Sequence, residues 1–93
     1  MSTISLRKGE TPNETSLTIA GLRIDFSYET PVAFHGQYDS AVRVNDWSTT
    51  TSKHLNRIDG GSAQAKAARI PGSEFEERLA IAINTALDMA VNR

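Results

Sequence analysis

No cysteine occurs in the 93 residues. Disulfides, thiolate metal sites and cysteine nucleophiles are therefore excluded together. Aromatic side chains are also few: three Phe, two Tyr and one Trp. So small a set does not make an extended stacking platform, and no extended nucleic acid is expected as a partner. Charge of one sign is lacking as well. Lys plus Arg is 10 and Asp plus Glu is 11, a formal net charge of −1. That balance suits neither a protein that coats a polyanion nor an acidic mimic of DNA. No apolar run approaches the roughly 20 residues of a membrane helix, so no membrane partner is expected. Met1 to Glu10 hold no apolar signal core, and the expected location is the cytoplasm.

What is present is an ordinary globular mixture, 39% apolar and 23% charged, in a chain long enough for one domain. Residues 1–13 read as a flexible N-terminal arm, although the alternation of Ile4 and Leu6 allows a short edge strand. Residues 14–93 read as a single α+β domain. Leu22, Ile24, Phe26 and Tyr28 share one parity, and Arg23, Asp25, Ser27 and Glu29 the other. This is the pattern of a strand with one buried and one wet face. Leu17 and Ile19 before it, Val32 and Phe34 after it, and then Tyr38, Val42 and Val44 continue the alternation. The expected fold is an antiparallel sheet of four or five strands from residues 15–45.

The apolar period then lengthens. A short helix is expected near 49–59, with Thr49 or Thr50 capping it and Gly60-Gly61 ending it. The Gly- and Ala-rich residues 60–72 read as a mobile loop. A long C-terminal helix is expected near 74–91, packed on the sheet. Ser73 and Glu76 would form its capping box, and Phe75, Leu79, Ala82, Ile83, Ala86, Leu87 and Ala90 its apolar face. Ile81, Met89 and Val91 fall off that face. A second contact is therefore expected there, most simply with another copy in a homo-oligomer.

Catalytic chemistry has little support. His35 and His54 share no metal-ligand spacing with another ligand. The hydroxyls of Ser48 to Ser52 come with no nucleophile elbow or oxyanion motif. Gly60-Gly61-Ser62 lacks the Gly-Lys-Ser/Thr element of a phosphate loop. No catalytic residue, metal or cofactor is expected, and the chain does not read as an enzyme. One segment is distinctive. Trp47 to Arg69 carries Lys53, Arg57, Lys66 and Arg69 against the single acid Asp59. Arginines near a hydroxyl-rich helix start suit a phosphate or another small anion, and Trp47, Tyr28 or Phe34 could stack on a base. The alternative is that the hydroxyls only cap the helix, Trp47 belongs to the core and the charges are a solvated face.

Two runs carry a resemblance. They are Ser27-Tyr28-Glu29-Thr30-Pro31-Val32-Ala33-Phe34 and Asn45-Asp46-Trp47-Ser48-Thr49-Thr50-Thr51-Ser52-Lys53-His54-Leu55-Asn56. With Phe75-Glu76-Glu77-Arg78-Leu79, they resemble a family of short bacteriophage proteins of unknown function. That family shows a Ser-Tyr-x-Thr-x-Val-Ala strand, a Trp-Ser-x-Thr-Thr-x-x-His segment and a closing helix. The strand-rich front and terminal helix are also similar to the phage Thoeris anti-defence sponges, which oligomerise and sequester cyclic nucleotide immune signals without degrading them. Taken with the basic, hydroxyl-rich segment, that likeness gives an expected ligand site of Tyr28, Trp47, Thr49, Thr50, His54, Arg57 and Arg69, inside a host cell. Arg57 and Arg69 would hold phosphate, and an aromatic from the sheet would stack on the base. The rival expectation is an inhibitor of a host defence protein, such as an anti-CRISPR. A third is a plain structural or regulatory phage subunit.

Overall fold

The computed structural model describes residues 4–8, 13–44 and 49–91. Five strands come first: β1 (Ile4–Lys8), β2 (Glu14–Ile19), β3 (Leu22–Ser27), β4 (Thr30–His35) and β5 (Ser40–Val42). Three helices follow: α1 (Thr49–Asp59), α2 (Ala63–Ala68) and α3 (Gly72–Val91). The strands form one antiparallel meander in chain order, β1-β2-β3-β4-β5. The α+β arrangement expected from the change of apolar period is therefore the one observed.

Hairpin chemistry sets the register. Ala20 and Gly21 both have positive φ, 48° and 86°, between the paired Ile19 and Leu22. This is the two-residue primed turn whose twist matches the flanking strands. The next hairpin is tighter in its demands: Ser27 pairs with Thr30, and Tyr28 takes φ 57°. A register shift at Asp25/Phe26 then bends the β3–β4 pair.

Strand parity divides the sheet into two faces. Leu22, Ile24 and Phe34 meet Phe75, Leu79 and Ala86 of α3 in the main core. Phe34 and Phe75 have ring centroids 5.6 Å apart at a 54° tilt, a geometry that adds about 1 kcal/mol to simple burial. The opposite parity, Arg23, Asp25 and Ser27, forms the second face, and α1 reaches it through a bond between His54 and Ser27. The outer edge of β5 is covered: Ile70 N donates to Val42 O and Val44 N to Ile70 O, at 2.9 and 2.8 Å.

Several local expectations change. The edge strand that the alternation of Ile4 and Leu6 allows is present, Ile4–Lys8 pairing along β2, while other elements depart from expectation. The fourth expected strand shrinks to Ser40–Val42, because Gly36 N bonds Asp39 O and leaves Tyr38 at the tip of a loop. Residues 60–72 are not simply a loop. Ser62 accepts from Ala65 N at 3.0 Å and caps α2, so the alanines express their helix propensity. The Ser73–Glu76 capping box does not occur. Helix α3 begins at Gly72, and Phe75 N already bonds Pro71 O. Ser73 is thus inside the helix, and Glu76 lies 3.8 Å from Arg43.

Candidate functional site

Sheet register and α1 together build a polar cleft of about 200 Å³, lined by Glu14, Ser16, Arg23, Asp25, His54 and Arg57 among others. Glu14 faces Ser27, and Ser16 faces Asp25, across the β2–β3 ladder. Alternation then sends all four side chains to the face that carries α1.

Two networks line this cleft. In the first, Asp25 accepts from Ser16 Oγ at 2.7 Å, from Arg23 Nε and Nη2 at 3.0 and 3.1 Å, and lies 3.2 Å from His35 Nε2. Burial alone pushes its carboxyl upward. The bonds from His35, Arg23 and Ser16 outweigh that and lower it to about 2. In the second, Ser27 Oγ and His54 Nδ1 are 2.6 Å apart, and His54 Nε2 lies 4.0 Å from the Glu14 carboxylate. Arg57 donates to that same carboxylate. Serine, imidazole and carboxylate thus stand in the order of a hydrolytic triad, but Ser27 is 2% exposed and His54 1%. The bond between this buried pair fastens α1 to the sheet.

The expected ligand residues separate. Tyr28, His54 and Arg57 come together: the Tyr28 ring lies 6.1 Å from the His54 ring, tilted by 46°, and His54 and Arg57 line the cleft. Thr49 and Thr50 lie in the first turn of α1. Trp47 lies outside the described residues. Arg69 is elsewhere, with a side chain only 6% exposed. It forks onto Asp59, Nε to Oδ2 at 2.7 Å and Nη2 to Oδ1 at 2.9 Å, and also reaches Asn56 Oδ1 at 3.1 Å. Its guanidinium holds the Asp59 carboxyl below the usual range. This arginine closes the α1–α2 corner and leaves the cleft to others. Arg23 takes a place there that the residue pattern did not single out. On the sequence it is simply the polar member of an alternating strand, and only the β2–β3 register shows that it faces α1. Among the described residues, no group of three or more His, Asp or Glu side chains could hold a metal ion. No described helix is long and apolar enough to cross a membrane.

A second, apolar groove of about 80 Å³ runs between α3 and the turns at Gly21 and Gly36, with Leu22, Ile81, Ala82 and Met89 among its lining. Arg78 braces its rim by donating to both carboxylate oxygens of Asp39.

The chain belongs to a family of unknown function (DUF8033), matched over residues 4–77. That span takes in the whole sheet, both networks of the cleft, and helices α1 and α2. No curated protein and no solved structure matches the chain.

Proposed function

We propose that this protein binds a small phosphorylated ligand of the cyclic nucleotide type in the cleft between α1 and the β2–β3 face, and holds it without converting it. The observation that carries this reading is one polar cleft that brings Arg23 of β3 together with His54 and Arg57 of α1, with the Tyr28 ring 6.1 Å from that of His54. Arginine forks suit phosphate oxygens. The Glu14 and Asp25 carboxylates would repel a bare phosphate, but they accept hydrogen bonds from ribose hydroxyls or a base amino group. A lining of both signs therefore suits a nucleotide better than an inorganic anion. Tyr28, half exposed beside His54, would stack on the base. With Ser27 and His54 buried against each other, the reading is storage, as in a phage anti-defence sponge.

Native mass spectrometry with cyclic di- and trinucleotides and cyclic ADP-ribose variants tests this. A retained ligand that is released chemically unchanged after denaturation, and whose binding weakens with Arg57→Ala and with added salt, supports it. Absence of binding at high micromolar ligand rejects it.

A second reading, inhibition of a host defence protein in the manner of an anti-CRISPR, has one observation in its favour. Leu6 on edge strand β1 is 70% exposed, and such an edge can receive an added strand. A stoichiometric complex with a host protein that Leu6→Lys abolishes would select this reading over the first.

A further inference from the structure

The apolar groove beside α3 has an acidic rim. Leu22, Tyr38, Ile81, Ala82, Thr85 and Met89 are among its lining. Two of these stand well out into solvent: Ile81 is 62% exposed and Tyr38 77%. Thr85 Oγ1 donates to Ile81 O at 2.9 Å, so its hydroxyl is satisfied within the helix and its methyl is available for packing. The groove wall is fixed in advance. Gly36 N donates to Asp39 O at 2.9 Å, and Arg78 Nε donates to Asp39 Oδ2 at 3.0 Å, which pins the loop bearing Tyr38 to α3. At about 80 Å³ the space takes one aliphatic side chain and no cofactor-sized ligand.

Charge selects the chain that brings this side chain. Among the described residues that line the groove, Arg78 is the only cation. It is already engaged by both carboxylate oxygens of Asp39, by Ser40 O at 3.2 Å and by Glu74 at 3.5 Å. Glu77 is exposed and lies one turn before Ile81, on the same side of the helix. Asp39, Glu74 and Glu77 thus set three carboxylates against one guanidinium, and the rim is net negative. Such a rim repels an anionic lipid surface or a nucleic acid. We infer that the groove binds a basic peptide segment of a partner protein. One aliphatic side chain enters beside Ile81 and Tyr38, and Lys or Arg side chains of the segment meet Glu77 and Glu74. These two carboxylates precede Ile81 by about 6 and 10 Å along the helix axis, distances that an extended peptide spans in about two and three residues. The inference does not depend on the cleft on the other face of the sheet, and either can fail alone.

Titration of the isotope-labelled chain with the synthetic peptide acetyl-Lys-Arg-Ser-Leu-Ser-Lys-Arg-amide, read by amide chemical shifts, tests it. Bases on both sides of the leucine serve either chain direction. Saturable shifts are expected at Tyr38, Ile81, Thr85 and Met89, with a dissociation constant below about 1 mM, and added salt should weaken them. Glu77→Lys and Ile81→Ser should each raise that constant about fivefold, with unchanged far-UV circular dichroism because both side chains are exposed. The same peptide with Ser in place of Leu, or with Glu in place of every Lys and Arg, should bind at least about tenfold more weakly. Absence of saturable shifts at millimolar peptide overturns the inference. So does equal binding of either control peptide, or shifts confined to other faces of the molecule. A wild-type dimer in light scattering that Ile81→Ser dissociates gives the groove to a second copy and overturns it as well.

Discussion

The exposed ring of Tyr28 lies against the buried ring of His54, with centroids 6.1 Å apart, while the Tyr28 backbone holds φ at 57°. A tight hairpin favours glycine at such a position, and a side chain there costs about 1 kcal/mol. The turn accepts that cost where its first residue also lies over the histidine that joins α1 to the sheet.

Two substitutions separate the backbone from the ring. Tyr28→Ala keeps the positive φ and loses the ring, so it should destabilise by about 1 kcal/mol. Tyr28→Gly loses the ring but relieves the backbone, so it should fall within about 0.5 kcal/mol of wild type. Urea titration measures both, and alanine as stable as glycine would show the turn to be unstrained. If the proposed cleft reading is right, both variants lose nucleotide affinity.

Arg57 and Arg69 should part company under mutation. Arg69→Ala leaves a largely buried Asp59 unpaired and should cost about 3 kcal/mol. Arg57→Ala strips a donor from the Glu14 carboxylate, which is buried to a similar degree. Arg57 itself, however, is 38% exposed and water can take its place, so the cost should be smaller, about 1–2 kcal/mol, while ligand binding weakens. Thermal melts paired with calorimetric titration distinguish the two. Comparable losses of stability would mean that Arg57 is as structural as Arg69.

Asp25 fixes the sign of one acid response. Its folded carboxyl is held near pH 2, below the value of about 3.9 for an unfolded aspartate. The stability it contributes is complete above the unfolded value and drains away as pH falls toward 2. Asp25→Asn should therefore lower stability at neutral pH and flatten the acid branch between about pH 4 and 2. Chemical denaturation at stepped pH tests this, and an acid branch of unchanged slope would place the linkage elsewhere.

Gly72 opens α3 directly beneath Arg43, and a Cβ built there collides with the guanidinium. Arg43 is buried and lies over the Phe75 ring, 5.7 Å from its centroid, so it has little room to retreat. Gly72→Ala should cost about 1–3 kcal/mol. A melting temperature equal to wild type would show that Arg43 moves aside freely.

How far the sequence could be read depended on what each feature needs. The β3 strand was plain because Leu22, Ile24 and Phe26 alternate without interruption, and the α3 face because Phe75, Leu79 and Ala86 recur at helical spacing. Those periods are local. The Ser73–Glu76 motif is not used because α3 starts earlier, at Gly72, which puts Ser73 inside the helix. Residues 63–68 carry no apolar period, so only the cap from Ser62 marks their helix. In the cleft, Arg57 and His54 were visible as part of a basic segment. Arg69 belongs to the same segment, but nothing in its spacing reveals that it is spent on Asp59. Arg23 could be found only through the pairing of β2 with β3. A site made by register is not written in any one segment.

The chain-order meander has a consequence for folding. Every strand pairs with its neighbour in sequence, so each ladder closes through a short loop and the sheet assembles from low-separation contacts. The helix that covers Leu22, Ile24 and Phe34 comes after all five strands. During synthesis the apolar residues of that face therefore emerge before the helix that buries them. The waiting interval before α3 docks is when the protein is most vulnerable to sticking to its neighbours.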